Sequence, residues 1–120
     1  MRICIDLDGV ISPIKKADQS YEGLEPLPGA VEKIKELRKK GHYIIIQTAR
    51  HMKTCESNMG KIMKKIAKIT LDWLEKHNIE YDEIYFGKPN AEIYIDDRAV
   101  KFSSWDEITE DLINLESKER

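Results

Sequence analysis

Apolar residues along this chain gather into two kinds of run. Arg2 to Leu7 carries Ile3, Cys4 and Ile5 in succession, and Tyr43 to Thr48 is built around Ile44-Ile45-Ile46. Short continuous runs of this kind predict strands buried on both faces, as in a parallel sheet. Glu83–Phe86 predicts a third strand, Ile93–Ile95 a fourth, and Val100–Phe102 a short fifth. Between these runs the spacing changes to that of helices. Ala30, Val31, Ile34 and Leu37 form an apolar stripe over Gly29–Lys40, with Gly41 as a stop. Ile62, Ile66, Ile69 and Trp73 form another over Gly60–His77. Ser104-Trp105-Asp106-Glu107 reads as a capping box that opens a last helix, with Trp105, Ile108, Leu112 and Leu115 facing inward and 117–120 fraying.

Strands that alternate with helices predict an α/β fold, a single Rossmann-like three-layer α/β/α domain around a mostly parallel sheet. Its 120 residues fit one domain, 1–120. The exception to the alternation is 9–28, a polar stretch broken by Pro13, Gly23, Pro26 and Pro28. A loop of that length in a small domain is usually functional, so it is expected to act as a flap.

Composition narrows the classes. The charged fraction is 35%, yet the net charge is only −2, so no overall field draws nucleic acid or an anionic membrane. Two cysteines offer neither a disulfide framework nor a zinc-ligand spacing, and Cys4 reads as a small buried hydrophobe. Met1-Arg2-Ile3 leads straight into a strand without a signal-peptide pattern, and no apolar run is long enough for a bilayer. A cytoplasmic protein is the expectation.

Ligands of open α/β sheets bind beyond the carboxyl ends of the strands. After the first strand come Asp6, Asp8 and Gly9; after the second, Thr48, Ala49 and Arg50; after the third, Gly87, Lys88 and Pro89; after the fourth, Asp96, Asp97 and Arg98. Carboxylates gathered at one edge repel one another unless a cation neutralises them. Hard oxygen ligands with room for water and phosphate favour magnesium. One carboxylate could then attack phosphorus, and a second could protonate the leaving oxygen and afterwards activate water. A hydroxyl, a lysine and free backbone N–H groups could hold the other phosphate oxygens.

Asp6-Leu7-Asp8-Gly9-Val10 resembles the signature of the haloacid dehalogenase-like (HAD) phosphatases, and Thr48, Lys88 and the Asp96-Asp97 pair follow in the order of that family's other motifs. The resemblance implies a parallel sheet in the order 5-4-1-2-3. It implies that Asp6 is the nucleophile and a magnesium ligand, and that Asp8 is the general acid/base, its backbone carbonyl also on the metal. Thr48 and Lys88 would bind the phosphoryl group; Asp96 would ligate magnesium, and Asp97 would support the metal or Lys88. Thr48-Ala49-Arg50, Asn58-Met59-Gly60-Lys61-Ile62, Tyr81-Asp82-Glu83, Gly87-Lys88-Pro89 and Ile95-Asp96-Asp97-Arg98-Ala99 resemble more closely the small phosphatases of bacterial capsule biosynthesis, implying a sugar phosphate or related small metabolite as substrate.

Neither usual insertion point has room for a cap domain, so the site is expected to be open, receiving a large substrate or covered by a second copy of the chain. Arg50 and His51, just beyond Thr48 and Ala49, are the candidates to meet the rest of the substrate. Plainer readings stand beside these: Thr48 as a helix cap, Asp97 as a partner of Arg98, and Lys61, Lys64, Lys65 and Lys68 as a solvated helix face. A phosphatase of nucleic-acid ends, which that lysine stripe keeps open, a catalytically silent binding module, and a non-catalytic domain that accepts a phosphoryl group on aspartate are the alternatives. In the last of these, as in response-regulator receivers, the acceptor follows the third strand.

Overall fold

A computed structural model describes residues 1–117; 118–120, most of the expected frayed tail, lie outside the described residues. Three strands, β1 (Arg2–Asp6), β2 (Tyr43–Thr48) and β3 (Glu83–Phe86), form a parallel sheet in the order β1-β2-β3. Ile5 pairs with Ile46 and Asp6 with Gln47; Ile46 pairs with Ile84 and Thr48 with Phe86. Because the strands run the same way, all three carboxyl ends meet at one edge.

Helix α1 (Ala30–Lys39) turns Ala30, Ile34 and Leu37 inward, as the stripe predicts. The second predicted helix is a continuous rod of three parts: α2 (Met59–Ile62), a π-helical stretch (Met63–Ala67) and α3 (Lys68–Lys76). Asn58 starts it, its side-chain oxygen accepting from the Lys61 amide at 3.1 Å. A π turn holds more residues than an α turn, so it rotates the next turns of the helix about their axis. Beyond it Thr70 is fully buried, whereas Ile69 is only partly so. The main core joins Ile5, Leu7, Ile34, Ile44, Ile46, Trp73 and Leu74, and each such side chain contributes about 1.5–3 kcal/mol by leaving water. Trp73 donates its indole N–H to the Leu24 carbonyl (2.8 Å), which ties α3 to the end of the 9–28 loop.

Several expectations fail, each for a physical reason. Burial alternates along β2, with Ile44, Ile46 and Thr48 buried and Tyr43, Ile45 and Gln47 only partly so; Cys4 and Tyr85 are exposed. One face of the sheet is therefore sealed and the other half-covered, short of the expected three full layers. Neither Ile93–Ile95 nor Val100–Phe102 forms a strand, and β1 pairs with β2 alone among the described residues. Ile93 is 75% and Ile95 95% exposed. Three apolar residues flanked by Glu92 and by Asp96-Asp97-Arg98 offer too little area to offset the entropy of ordering them. The last helix, α4 (Glu110–Glu116), begins later than the capping box predicts. Trp105 is drawn into the core, donating to the Val10 carbonyl at 2.7 Å, and Trp105–Glu107 is a 3-10 turn. Thr109 caps α4 instead, accepting from the Leu112 amide at 3.2 Å, and Leu115 faces solvent. No helix among the described residues is long and apolar enough to cross a membrane.

Asp82 joins α1 to the sheet. Its carboxylate takes Arg38 Nη2 (2.9 Å) and the backbone N–H of Ile44 (2.8 Å). Arg38, and after it the Ile44 amide, hold this carboxyl below its usual range. A lowered pKa in the fold contributes stability above the unfolded value, lost as pH falls through the folded one. Asp82→Asn keeps an acceptor for Ile44 but removes the charge. Wild type is therefore expected to resist urea better than Asp82→Asn above about pH 5, the gap closing below about pH 3. A gap that is the same at both ends would show that the ion pair is not its source.

Candidate active site

The edge where the strands end holds the polar side chains that the sequence singled out after the first three strands. Just past β1 the chain turns sharply: the Leu7 carbonyl accepts from the amides of Ile11 (3.0 Å) and Ser12 (2.9 Å), and the Gly9 amide donates to Ser12 O (2.7 Å). Leu7, Ile11 and Ser12 are fully buried, so the turn is fixed from within. Asp6 and Asp8, on either side of buried Leu7, are thereby held at its mouth.

Asp6 Oδ1 accepts from the Leu7 amide (3.0 Å) and Oδ2 from Lys88 Nζ (3.2 Å). Burial is the largest influence on the Asp6 carboxyl and, with the neighbouring Asp8, leaves it raised although the Lys88 ammonium and the Leu7 amide draw it down. Lys88 reaches Asp6 because the amides of Gly87 and Lys88 both donate to the Thr48 carbonyl at 3.1 Å, folding the end of β3 over the end of β2. Lys88 Nζ also lies 4.1 Å from the centre of the Tyr94 ring.

Asp8 is held on both oxygens: Thr48 Oγ1 donates to Oδ2 and Arg50 Nε to Oδ1, each at 2.9 Å. Thr48 Oγ1 in turn accepts from the Arg50 amide (3.1 Å). Asp6, Asp8, Thr48 and Lys88 thus come together, with carboxylates and cations matched one to one. Arg50, expected to face the substrate, is turned inward; its side chain is 1% exposed. It faces Asp8, Thr70 and Tyr21 instead, held there by hydrogen bonds to the first two and by the Tyr21 ring over its guanidinium. His51 stands at φ 60°, edge-on to Tyr21 with ring centres 6.2 Å apart. Burial, and after it Lys65, Arg50 and Lys15, hold its imidazole below the usual range. Lys61, Lys64, Lys65 and Lys68 are exposed, and Lys68 pairs with Asp72 on its own helix (2.7 Å).

Asp96 and Asp97 do not join the cluster. Both are exposed, and Asp96 Oδ1 accepts from the Arg98 amide (2.8 Å). No three His, Cys, Asp or Glu side chains among the described residues converge to hold a metal ion. Lys88 and Arg50 already neutralise Asp6 and Asp8. In this arrangement the residues do not fit the magnesium that the sequence resemblance implies.

Two residues of the cluster were not singled out from sequence. Thr70 carried a signal, a polar residue four positions after Ile66 on the apolar face of a helix. Tyr21 carried none within its irregular loop.

Fold and site define a parallel α/β protein with a cluster of acidic and basic side chains at the carboxyl edge of its sheet. Family models and curated proteins give no match. A crystal structure of a target protein from Vibrio cholerae superposes with a TM-score of 0.85 at 37% sequence identity, over 95% of this chain and 94% of that one. This chain belongs to the family of that Vibrio cholerae protein. A crystal structure of D,D-heptose 1.7-bisphosphate phosphatase from B. bronchiseptica, complexed with magnesium and phosphate, matches at 20% identity and a TM-score of 0.48. It covers 71% of this chain and 48% of that one, too distant to bear on activity here.

Gly87 decides where Lys88 goes. Its φ is +105°, and a Cβ there would lie 2.9 Å from Met59 Sδ. Gly87→Ala is expected to cost about 1–3 kcal/mol in urea unfolding, chiefly through the backbone. Met59→Ala in the same chain should recover little of it, since a flexible thioether could have moved aside; full recovery would show that the collision, not the backbone, sets the cost.

Proposed function

We propose that this chain is a phosphomonoesterase of the haloacid dehalogenase-like type, working through a phosphoryl group carried on Asp6. The observation that carries the reading is the pairing of Asp6 with Lys88 across two strand ends, with Asp8 and Thr48 beside them. In the first step an Asp6 carboxylate oxygen attacks phosphorus and the bond to the leaving oxygen breaks, Asp8, which must enter the step carrying a proton, giving it to that oxygen. In the second, Asp8 takes a proton from water, whose oxygen attacks phosphorus and releases Asp6 and inorganic phosphate. Lys88 holds the phosphoryl oxygens and offsets the charge gathering there, and Thr48, whose one hydroxyl proton goes to Asp8, would join it only by turning away from that carboxylate. Partial burial of Asp6 supports the reading, since a carboxylate with fewer waters to shed is the stronger nucleophile. The substrate proposed is a sugar phosphate or similar small metabolite. The pairing of Lys68 with Asp72 favours a solvated lysine face over a nucleic-acid track.

Magnesium belongs to this reading only if Asp96 and Asp97 reach Asp6 and Asp8. We tie that to residues 93–95 docking on the open edge of β1, which would extend the sheet toward the order 5-4-1-2-3. Lys88 on Asp6 and Trp105 on Val10 hold the two ends of the intervening segment near the end of β1, and its exposed isoleucines lack a place to be buried. An unpaired strand edge is a ready template for such an addition.

Asp6→Asn is expected to lower steady-state release of phosphate, measured with magnesium on nitrophenyl phosphate and on a panel of sugar phosphates, by at least about a thousandfold. Full activity in that variant would remove the mechanism, and a single phosphoryl group retained per wild-type chain would favour the phospho-accepting domain. Ile95→Ser tests the docking. At so exposed a position it should leave stability within about 0.5 kcal/mol, yet lower magnesium-dependent release severely if Ile95 must be buried for the site to close. Unchanged activity would overturn the docking.

A further inference from the structure

Asp8 does not stand alone. Behind it lies Arg50, whose guanidinium meets a different element on each side. Its Nε donates to Asp8 Oδ1 (2.9 Å) and its Nη1 to Thr70 Oγ1 on α3 (3.1 Å). The Tyr21 ring, from the 9–28 loop, covers it with its centre 4.1 Å from the guanidinium carbon. Thr70 is fully buried and the Arg50 side chain nearly so. The Arg50 amide donates to Thr48 Oγ1, which donates to the other Asp8 oxygen, so the network closes on itself.

We propose that Tyr21, Arg50 and Thr70 form a positioning assembly that fixes the aim of Asp8 toward the leaving-group oxygen. The proposal rests on the phosphatase reading of the site and adds to it three residues that do not touch the substrate. A carboxylate with both oxygens held cannot turn without breaking two hydrogen bonds, one of them charge-assisted. An arginine has several free torsions, so it can hold a carboxylate in one direction only if its far end is held as well. Thr70 does that from the helix and Tyr21 from the loop, at a contact worth about 0.5–2 kcal/mol. The loop and Asp8 are coupled in this way: displacement of Tyr21 frees Arg50 and loosens Asp8.

Removing Arg50 would leave Asp8 without its cation and confound the test, because breaking a buried pair destabilises a fold generally. Thr70→Val keeps the shape and removes the acceptor, and Thr70→Ser keeps the acceptor. A nitrophenolate leaves without a proton, whereas the alkoxide of glycerol phosphate needs one. Thr70→Val is expected to lose about 10–100-fold on glycerol phosphate and less than about threefold on nitrophenyl phosphate, with Thr70→Ser close to wild type on both. Tyr21→Leu, at a partly buried position, should show the same unequal loss should Thr70→Val fail to fold. Equal losses on the two esters, or none, would overturn the proposal. A wild-type protein inactive on both esters would instead refute the phosphatase reading. A second arm needs no turnover, a urea-unfolding cycle of Thr70→Val, Asp8→Asn and the double variant. Coupling through Arg50 predicts a double variant less destabilised than the sum of the single changes; simple addition would overturn the link between Thr70 and Asp8.

Discussion

Parallel pairing of β1 with β2, in the register that sets Ile5 beside Ile46 and Asp6 beside Gln47, governs everything else in this molecule. A slip of one residue would turn the buried set of a strand to its other face. Here it would take Ile44, Ile46 and Thr48 out of the core together, and Thr48 could no longer meet Asp8. The same register lets the Thr48 carbonyl receive the amides of Gly87 and Lys88, which brings Lys88 to Asp6. Core and site are consequences of one alignment, and neither can move without the other.

Charge at the strand ends obeys a simple rule. Asp6 and Asp8 are two residues apart, close enough that the charge on Asp8 raises the cost of ionising Asp6. The protein answers with two cations from different elements, Lys88 on Asp6 and Arg50 on Asp8. Lys88 is the more exposed of the two, and it lies where a phosphoryl group bound at Asp6 would need it. Arg50 is sealed behind Asp8 and can contribute only through it. An added divalent cation would have to displace or supplement this pairing, and for that the carboxylates of Asp96 and Asp97 would have to come in from solvent.

The rod from Met59 to Lys76 shows how a local irregularity reaches the site. Its π-helical stretch lies between Ile62, buried beside Met52 in a small second core, and Trp73, buried in the main one. The added residue in that turn lets both apolar anchors face inward while Thr70, and not Ile69, comes to Arg50. Polar burial of this kind is tolerated because Thr70 has a charged donor to satisfy it.

The first three strands, α1 and the apolar face of the rod were legible in the sequence because periodicity is a local property of adjacent residues. Asp6, Asp8, Thr48 and Lys88 were legible as a group for the same reason: each lies at or just past the end of an apolar run, and parallel strands bring their ends together. Ile93–Ile95 has a similar pattern, yet in this structure it forms no strand. Pairing there depends on an edge far away in sequence, and three residues supply little area to secure it. Whether Arg50 would face solvent or Asp8 was likewise beyond local pattern. That direction is set by Thr70, 20 residues further on, and by a tyrosine from an irregular loop, contacts that exist only once the chain has folded. Sequence by itself determined the first three strands, the first helix and the rod, and the four side chains that their ends bring to the sheet's edge. Tertiary structure alone decided which cation faces which carboxylate, because a side chain's direction depends on the packing of segments that never adjoin along the chain.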